Sequence, residues 1–264
     1  MNRLRKKLDH LLSIKEKALV AYLVAGDPDL DSTLDLMHLF VESGVDIIEV
    51  GVPFTDPIAE GPVIQKAHDR ALKNNISLPK IIKLVEDFRK NDNSTPIILM
   101  GYLNTFSYHK NLIDNSDQHG VDAVLVVDIP GELSIASYGI SNPNIDSISL
   151  ISPTTSEERI EKIAKNGSGF IYYVTLRGVT GSSNLDVKEI NTNIQKIRSY
   201  SDIPTLAGFG IKSNEDAKLL SEYSDGIIVG SSIVDMIDKQ SDSKDFDIIG
   251  KYLRELKNAI LWIG

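Results

Sequence analysis

Residues 18–51 read ALVAYLVAGDPDLDSTLDLMHLFVESGVDIIEVG. The stretch opens and closes on short apolar runs, 18–25 and 46–51, rich in branched residues and without polar alternation. Continuous apolarity of that kind suits a strand of a parallel sheet covered on both faces. Between them, residues 30–43 carry apolar side chains at i, i+3, i+4 spacing, with Asp29 or Asp31 as the N-cap. Gly44 then closes the helix, so the stretch predicts strand, helix, parallel strand.

The unit recurs. Further strands are predicted at 96–102 (PIILMGY), 122–128 (DAVLVVD), 146–152 (DSISLIS), 169–175 (GFIYYVT), 203–208 (IPTLAG) and 226–230 (GIIVG). Helical spacing marks 78–90, 156–165, 214–221 and a last helix at 246–262, with caps expected at Ser77, Ser156 and Ser213. Eight strands alternating with helices over 264 residues match a (β/α)8 barrel in count and length. A doubly wound sheet is the alternative, and the even spacing of the strands favours closure. No linker or shift in composition marks a second domain. The expected plan is one domain over 1–264: an extra N-terminal helix at 1–16, a barrel over 17–240 and a C-terminal helix at 244–264. In MNRLRKKLDHLL, residues 1–12, Leu4, Leu8, Leu11 and Leu12 fall at helical spacing and predict a docked cap. The charges among them do not suit a signal peptide, which points to the cytoplasm.

Composition narrows the function. With 28 basic and 37 acidic residues the net charge is −9, which disfavours a nucleic-acid binder. No run approaches the roughly 20 apolar residues of a membrane span. Without cysteine there is no thiolate nucleophile and no zinc–cysteine site. The five histidines show no metal spacing and read as residues of solvated helix faces. No predicted strand carries a lysine, which disfavours Schiff-base chemistry.

In a barrel of this class, chemistry belongs at the C-terminal ends of the strands. Glu49 stands between Ile48 and Val50 in the second strand. Burying a carboxylate costs several kcal/mol unless it is paired or protonated. No strand supplies a basic partner, and burial raises a carboxyl pKa towards the range of a general acid/base. Pro53, Pro57 and Pro62 shape the loop that follows, which presents Asp56 and Glu60. These two suit proton traffic beside Glu49 or, equally, capping of the helix that begins near Pro62. Late in the chain, glycine turns follow three successive strands: Arg177-Gly178-Val179-Thr180-Gly181, Gly208-Phe209-Gly210 and Gly230-Ser231-Ser232. Backbone N–H groups there, with a helix N-terminus at Ser231, suit a phosphorylated ligand.

These motifs carry a resemblance. Gly26-Asp27-Pro28, DIIEVGVPFTDPIAEGPVIQ over 46–65, Met100-Gly101-Tyr102-Leu103-Asn104, Asp128-Ile129-Pro130, Gly178-Val179-Thr180-Gly181 and Gly208-Phe209-Gly210 closely resemble the tryptophan synthase alpha subunit family, in register along essentially the whole chain. The resemblance implies a TIM barrel and a lyase that cleaves indole-3-glycerol phosphate to indole and glyceraldehyde 3-phosphate. It implies Glu49 as acid and then base, and Glu60 as the carboxylate that meets the indole N–H. Tyr22, Ile64, Met100, Tyr102, Leu125, Tyr172, Thr180 and Phe209 match indole and glycerol positions. Gly181, Gly210, Gly230 and Ser231 match phosphate positions. No metal and no organic cofactor is implied. The implied partner is the pyridoxal-phosphate-dependent beta subunit in an α2β2 assembly, faced by Pro53, Asp56 and Pro57. One departure stands out, because the family usually has aspartate where this chain has Glu60. It keeps alive a reading in which the barrel only binds and activates the beta subunit. A third reading, a phosphosugar isomerase on the same fold, is disfavoured by the loop over 53–62.

Overall fold

The structure, a computed structural model, describes residues 2–175, 187–208, 210–211 and 213–261. All eight expected strands are present: β1 (Ala18–Val24), β2 (Ile47–Gly51), β3 (Ile97–Gly101), β4 (Ala123–Val126), β5 (Asp146–Ile151), β6 (Ile171–Val174), β7 (Thr205–Gly208) and β8 (Gly226–Val229). They pair in chain order, all parallel, and β8 returns to β1 to close a TIM barrel. The helices are α1 (Arg3–Ser13), α2 (Leu30–Glu42), α3 (Pro62–Lys73), α4 (Leu78–Arg89), α5 (Leu103–Tyr108), α6 (Lys110–Asp114), α7 (Glu157–Asn166), α8 (Val187–Tyr200), α9 (Asn214–Tyr223), α10 (Ser231–Gln240) and α11 (Asp247–Leu261).

The continuous apolarity of the strands reflects two separate cores. Leu19, Ala21 and Leu23 of β1 join Ile48 and Val50 of β2 in the layer beneath the helices. Their neighbours Val20, Ile47, Ile98, Leu125 and Leu206 fill the barrel interior. Alternation along each strand is therefore real, but both faces demand apolar residues. Leu4, Leu8 and Leu11 of α1 belong to that same interior cluster, so α1 plugs the end of the barrel where the strands begin. Arg5 reinforces the plug by an ion pair to Asp146 at the start of β5, and Arg3 pairs with Asp122 just before β4. Leu12 departs from expectation: it is 45% exposed and takes no part in docking.

Local signals held unevenly. Asp29 caps α2 through the N–H of Ser32, and Ser213 forms a capping box with Asp216 on α9. Ser77 and Ser156 occupy N-cap positions, but neither side chain makes the capping bond. The alternation of strand and helix breaks between β4 and β5, where the connection holds only a 3-10 turn, Ile135–Tyr138. Gly131, Gly139 at φ +83° and Pro143 each oppose a helix there. No helix of the described residues is long and apolar enough to cross a membrane.

Candidate active site

At the C-terminal end of the barrel lies a cavity of about 300 Å³, at the small end of the roughly 300–1,000 Å³ of ligand sites. Tyr22, Glu49, Ile64, Met100, Tyr172, Gly210, Gly230 and Ser231 all line it. Eight residues singled out in the sequence, from six different strands or the segments that follow them, thus meet in one place. Leu125 does not line it; the side chain is fully buried in the interior layer below. Thr180, Gly181 and Phe209, with Arg177, lie outside the described residues.

Glu49 is inward-facing because it shares strand parity with Ile47, beside Tyr22 of β1 and Ile98 of β3. It is 2% exposed, and its Oε1 has no hydrogen-bond partner. Burial, then the nearby charge of Glu60, pushes its pKa up to about 8. At pH 7 about nine-tenths of such carboxyls hold their proton, against well under one in a hundred at the ordinary value. A buried acid that is protonated at neutrality and opens onto a cavity has the form of a general acid.

Glu60 lies in the loop between β2 and α3 and is turned to Tyr102, whose hydroxyl donates to its carboxylate. The Tyr102 oxygen also accepts from the Ala59 N–H at 3.0 Å, and the Phe54 ring stacks on the Tyr102 ring at 4.6 Å. Burial raises the Glu60 pKa, and the Tyr102 hydrogen bond opposes that rise. Neither Glu60 nor Asp56 caps α3, whose N-cap is Gly61 without a side-chain bond. Asp56 is exposed and accepts from the Thr55 hydroxyl at 2.8 Å, Pro57 is half-buried, and Pro53 is buried at the root of the loop.

The other end of the cavity is built by backbone. Gly230 is the N-cap of α10 and has no side chain to cap the helix, and with Ser231 it brings the N-terminus of α10 to the cavity wall. Gly210 turns at φ +71°, a conformation that favours glycine, and the Ser232 hydroxyl holds the Ile211 carbonyl at 2.8 Å. Arg70 of α3 makes a two-pronged bond to the buried Asp27 at 2.7 and 2.8 Å and a 3.0 Å ion pair to Asp238 of α10. The exit of β1, α3 and α10 are thereby fixed together.

His68 was expected on a solvated face and is instead 1% exposed. The Phe54 N–H donates to its Nδ1 at 3.0 Å, and its Nε2 lies 3.5 Å from the Tyr22 hydroxyl. The spacing held the signal: Ile64, Ala67, His68 and Ala71 share the inner face of α3. Among the described residues no group of acidic or histidine side chains is placed to hold a metal ion.

Comparison with known proteins agrees with this geometry over the whole barrel. Residues 8–260 match the family profile described as Tryptophan synthase alpha chain. The tryptophan synthase alpha chain of Nitrosomonas europaea is 42% identical over 264 residues, covering 98% of this chain and 96% of that one. The crystal structure of tryptophan synthase subunit alpha from Legionella pneumophila superposes with a TM-score of 0.89 at 37% identity, covering 98% of both chains. A structure of the tryptophan synthase α2β2 complex from Pyrococcus furiosus, a study of its mutual activation, matches with a TM-score of 0.82 at 33% identity, over 92% of this chain and 99% of that one. An acid-bearing cavity at the barrel mouth, glycine turns beside a helix N-terminus, and identity along nearly the full length lead to one conclusion: the chain belongs to the tryptophan synthase alpha chain family, the lyases that cleave indole-3-glycerol phosphate in tryptophan biosynthesis.

Proposed function

We propose that Glu49 carries the proton of this cleavage and that Glu60 stabilises the charge it creates. The observation that carries the reading is the unpaired, buried Glu49 carboxyl with its pKa near 8, opening onto the cavity. An aromatic carbon is a poor leaving group, so C3 of the indole first takes the Glu49 proton. The ring nitrogen becomes positive, and a carboxylate at the N–H lowers that state electrostatically. Glu49, now ionised, accepts the proton of the side-chain hydroxyl next to the ring. The C3–C bond breaks, its electrons return to the ring, and the hydroxyl carbon becomes the aldehyde of glyceraldehyde 3-phosphate. Glu49 ends protonated, ready for another cycle. The N–H groups of α10 at Gly230 and Ser231 suit the phosphate, and Tyr22, Ile64, Met100 and Tyr172 suit the indole and glycerol portions.

The chain is further proposed to act in the cytoplasm as the alpha partner of a beta subunit in an α2β2 assembly. Ile58, 83% exposed beside Asp56 and Pro57 on the loop that also bears Glu60, supports a contact linking that surface to the site. The engagement of Glu60 by Tyr102, away from the cavity wall, favours the second reading of a barrel that activates the beta subunit without turnover of its own. The variant Glu60→Gln separates the two. The lyase reading expects wild-type cleavage that falls by about 10²–10³ in kcat with glutamine, which cannot stabilise positive charge. Negligible wild-type cleavage, with beta-subunit activation intact in both proteins, would favour the second.

A further inference from the structure

The buried imidazole of His68 is not used by the chemistry above. It is neutral, because burial lowers its pKa to about 4. Its Nδ1 accepts from the Phe54 N–H at 3.0 Å and therefore bears no proton. In a neutral ring the proton then sits on Nε2, 3.5 Å from the Tyr22 hydroxyl oxygen. That oxygen is the acceptor, and the phenol's own proton must point elsewhere. The Tyr22 ring runs from α10 to the end of β2. A Cβ at Gly230 would lie 3.3 Å from its Cδ1, and one at Gly51 would collide with its hydroxyl. The hydroxyl end thus lies over Gly51 at the end of β2, two residues beyond Glu49, the register partner of Tyr22 on the same face of that strand. Burial and the charges of Glu60 and Glu49 keep the phenol protonated.

We propose that His68 is a positioning residue: held by the loop backbone at Phe54, it donates to Tyr22 and turns the Tyr22 hydroxyl proton into the cavity, towards the substrate oxygen that Glu49 deprotonates. The idea rests on the lyase reading above. It makes the imidazole a one-way relay of hydrogen-bond direction from the loop bearing Glu60 to the cavity wall, with no proton transferred.

Two variants test it. Asparagine at position 68 places an acceptor where Nδ1 was, so His68→Asn keeps the Phe54 bond and removes the donor to Tyr22. Tyr22→Phe removes the receiving hydroxyl. Each should lower kcat/KM for indole-3-glycerol phosphate by about three- to tenfold, the scale of one neutral hydrogen bond. The double variant should be no worse than the poorer single one, because both remove the same interaction. Additive losses, or wild-type kcat/KM in His68→Asn, would overturn the proposal, since a merely structural histidine is indifferent to the Tyr22 hydroxyl. Nitrogen NMR of the ligand-free protein gives an independent reading, with the proton expected on Nε2 of His68; a proton on Nδ1 would also overturn it. Absence of cleavage by the wild type would count against the lyase reading, and the tautomer would still decide the contact.

Discussion

Glutamine in place of Glu49 should remove activity and at the same time stabilise the fold, by an amount that grows with pH. The Glu49 pKa is about 8 in the folded chain against 4.5 for an ordinary glutamate. Between those values the unfolded chain has released this proton and the folded chain has not. Stability linked to the group is therefore full below about pH 4.5, falls as pH rises through the window, and is entirely lost above about pH 8. Each pH unit inside the window costs about 1.4 kcal/mol, so wild type should lose roughly 4 kcal/mol from this one group between pH 5 and pH 9. Glutamine has no proton to lose and escapes the penalty. Urea unfolding of wild type and Glu49→Gln at pH 5, 7 and 9 measures the gap, with all other titrations common to both proteins. The variant should be close to wild type at pH 5 and increasingly the more stable one above it. A gap that changes by less than about 1 kcal/mol across the range would refute the raised pKa, and with it the case for a protonated acid at neutrality.

On the lyase reading the Tyr102 hydroxyl orients the Glu60 carboxylate, so Tyr102→Phe should lower kcat by about two- to tenfold in steady-state cleavage. Glu60→Asp draws the carboxylate back by about 1.3–1.5 Å, away from Tyr102, and should change the rate by at most ~100-fold. Gly230→Val should weaken calorimetric binding of glycerol phosphate far more than that of indole. Its Cβ would press the Tyr22 ring at 3.3 Å and its methyls would obstruct the approach to the α10 N–H groups. Equal losses for both ligands would point to general misfolding.

The barrel was legible because each of its strands has to satisfy two apolar surroundings, so continuous runs such as 18–25 announced themselves. Glu49 was legible for the converse reason, as a charge in a run with no basic partner. The β4–β5 connection departs from strict strand–helix alternation because Gly131, Gly139 and Pro143 oppose a helix between them. Residue type hid His68, since histidine is at home on a solvated face; only its i+4 relation to Ile64 placed it inward. The Tyr102–Glu60 bond joins residues 42 positions apart, from different loops of the barrel mouth, and no local spacing could show it. Resemblance named Tyr102 and Glu60 separately, and only the fold brought them into contact.

The most direct test of the central claim is steady-state cleavage of indole-3-glycerol phosphate by wild type and Glu49→Gln, with and without a beta subunit. Glutamine keeps the shape of the side chain and removes only its exchangeable acid proton. If Glu49 is the proton carrier, wild type releases indole and glyceraldehyde 3-phosphate in equal amounts, with kcat/KM falling above about pH 8 as the acid ionises. The variant should lose at least about 10²-fold in kcat while still binding substrate. A Glu49→Gln protein that retained a tenth or more of wild-type turnover would show that another group moves the proton.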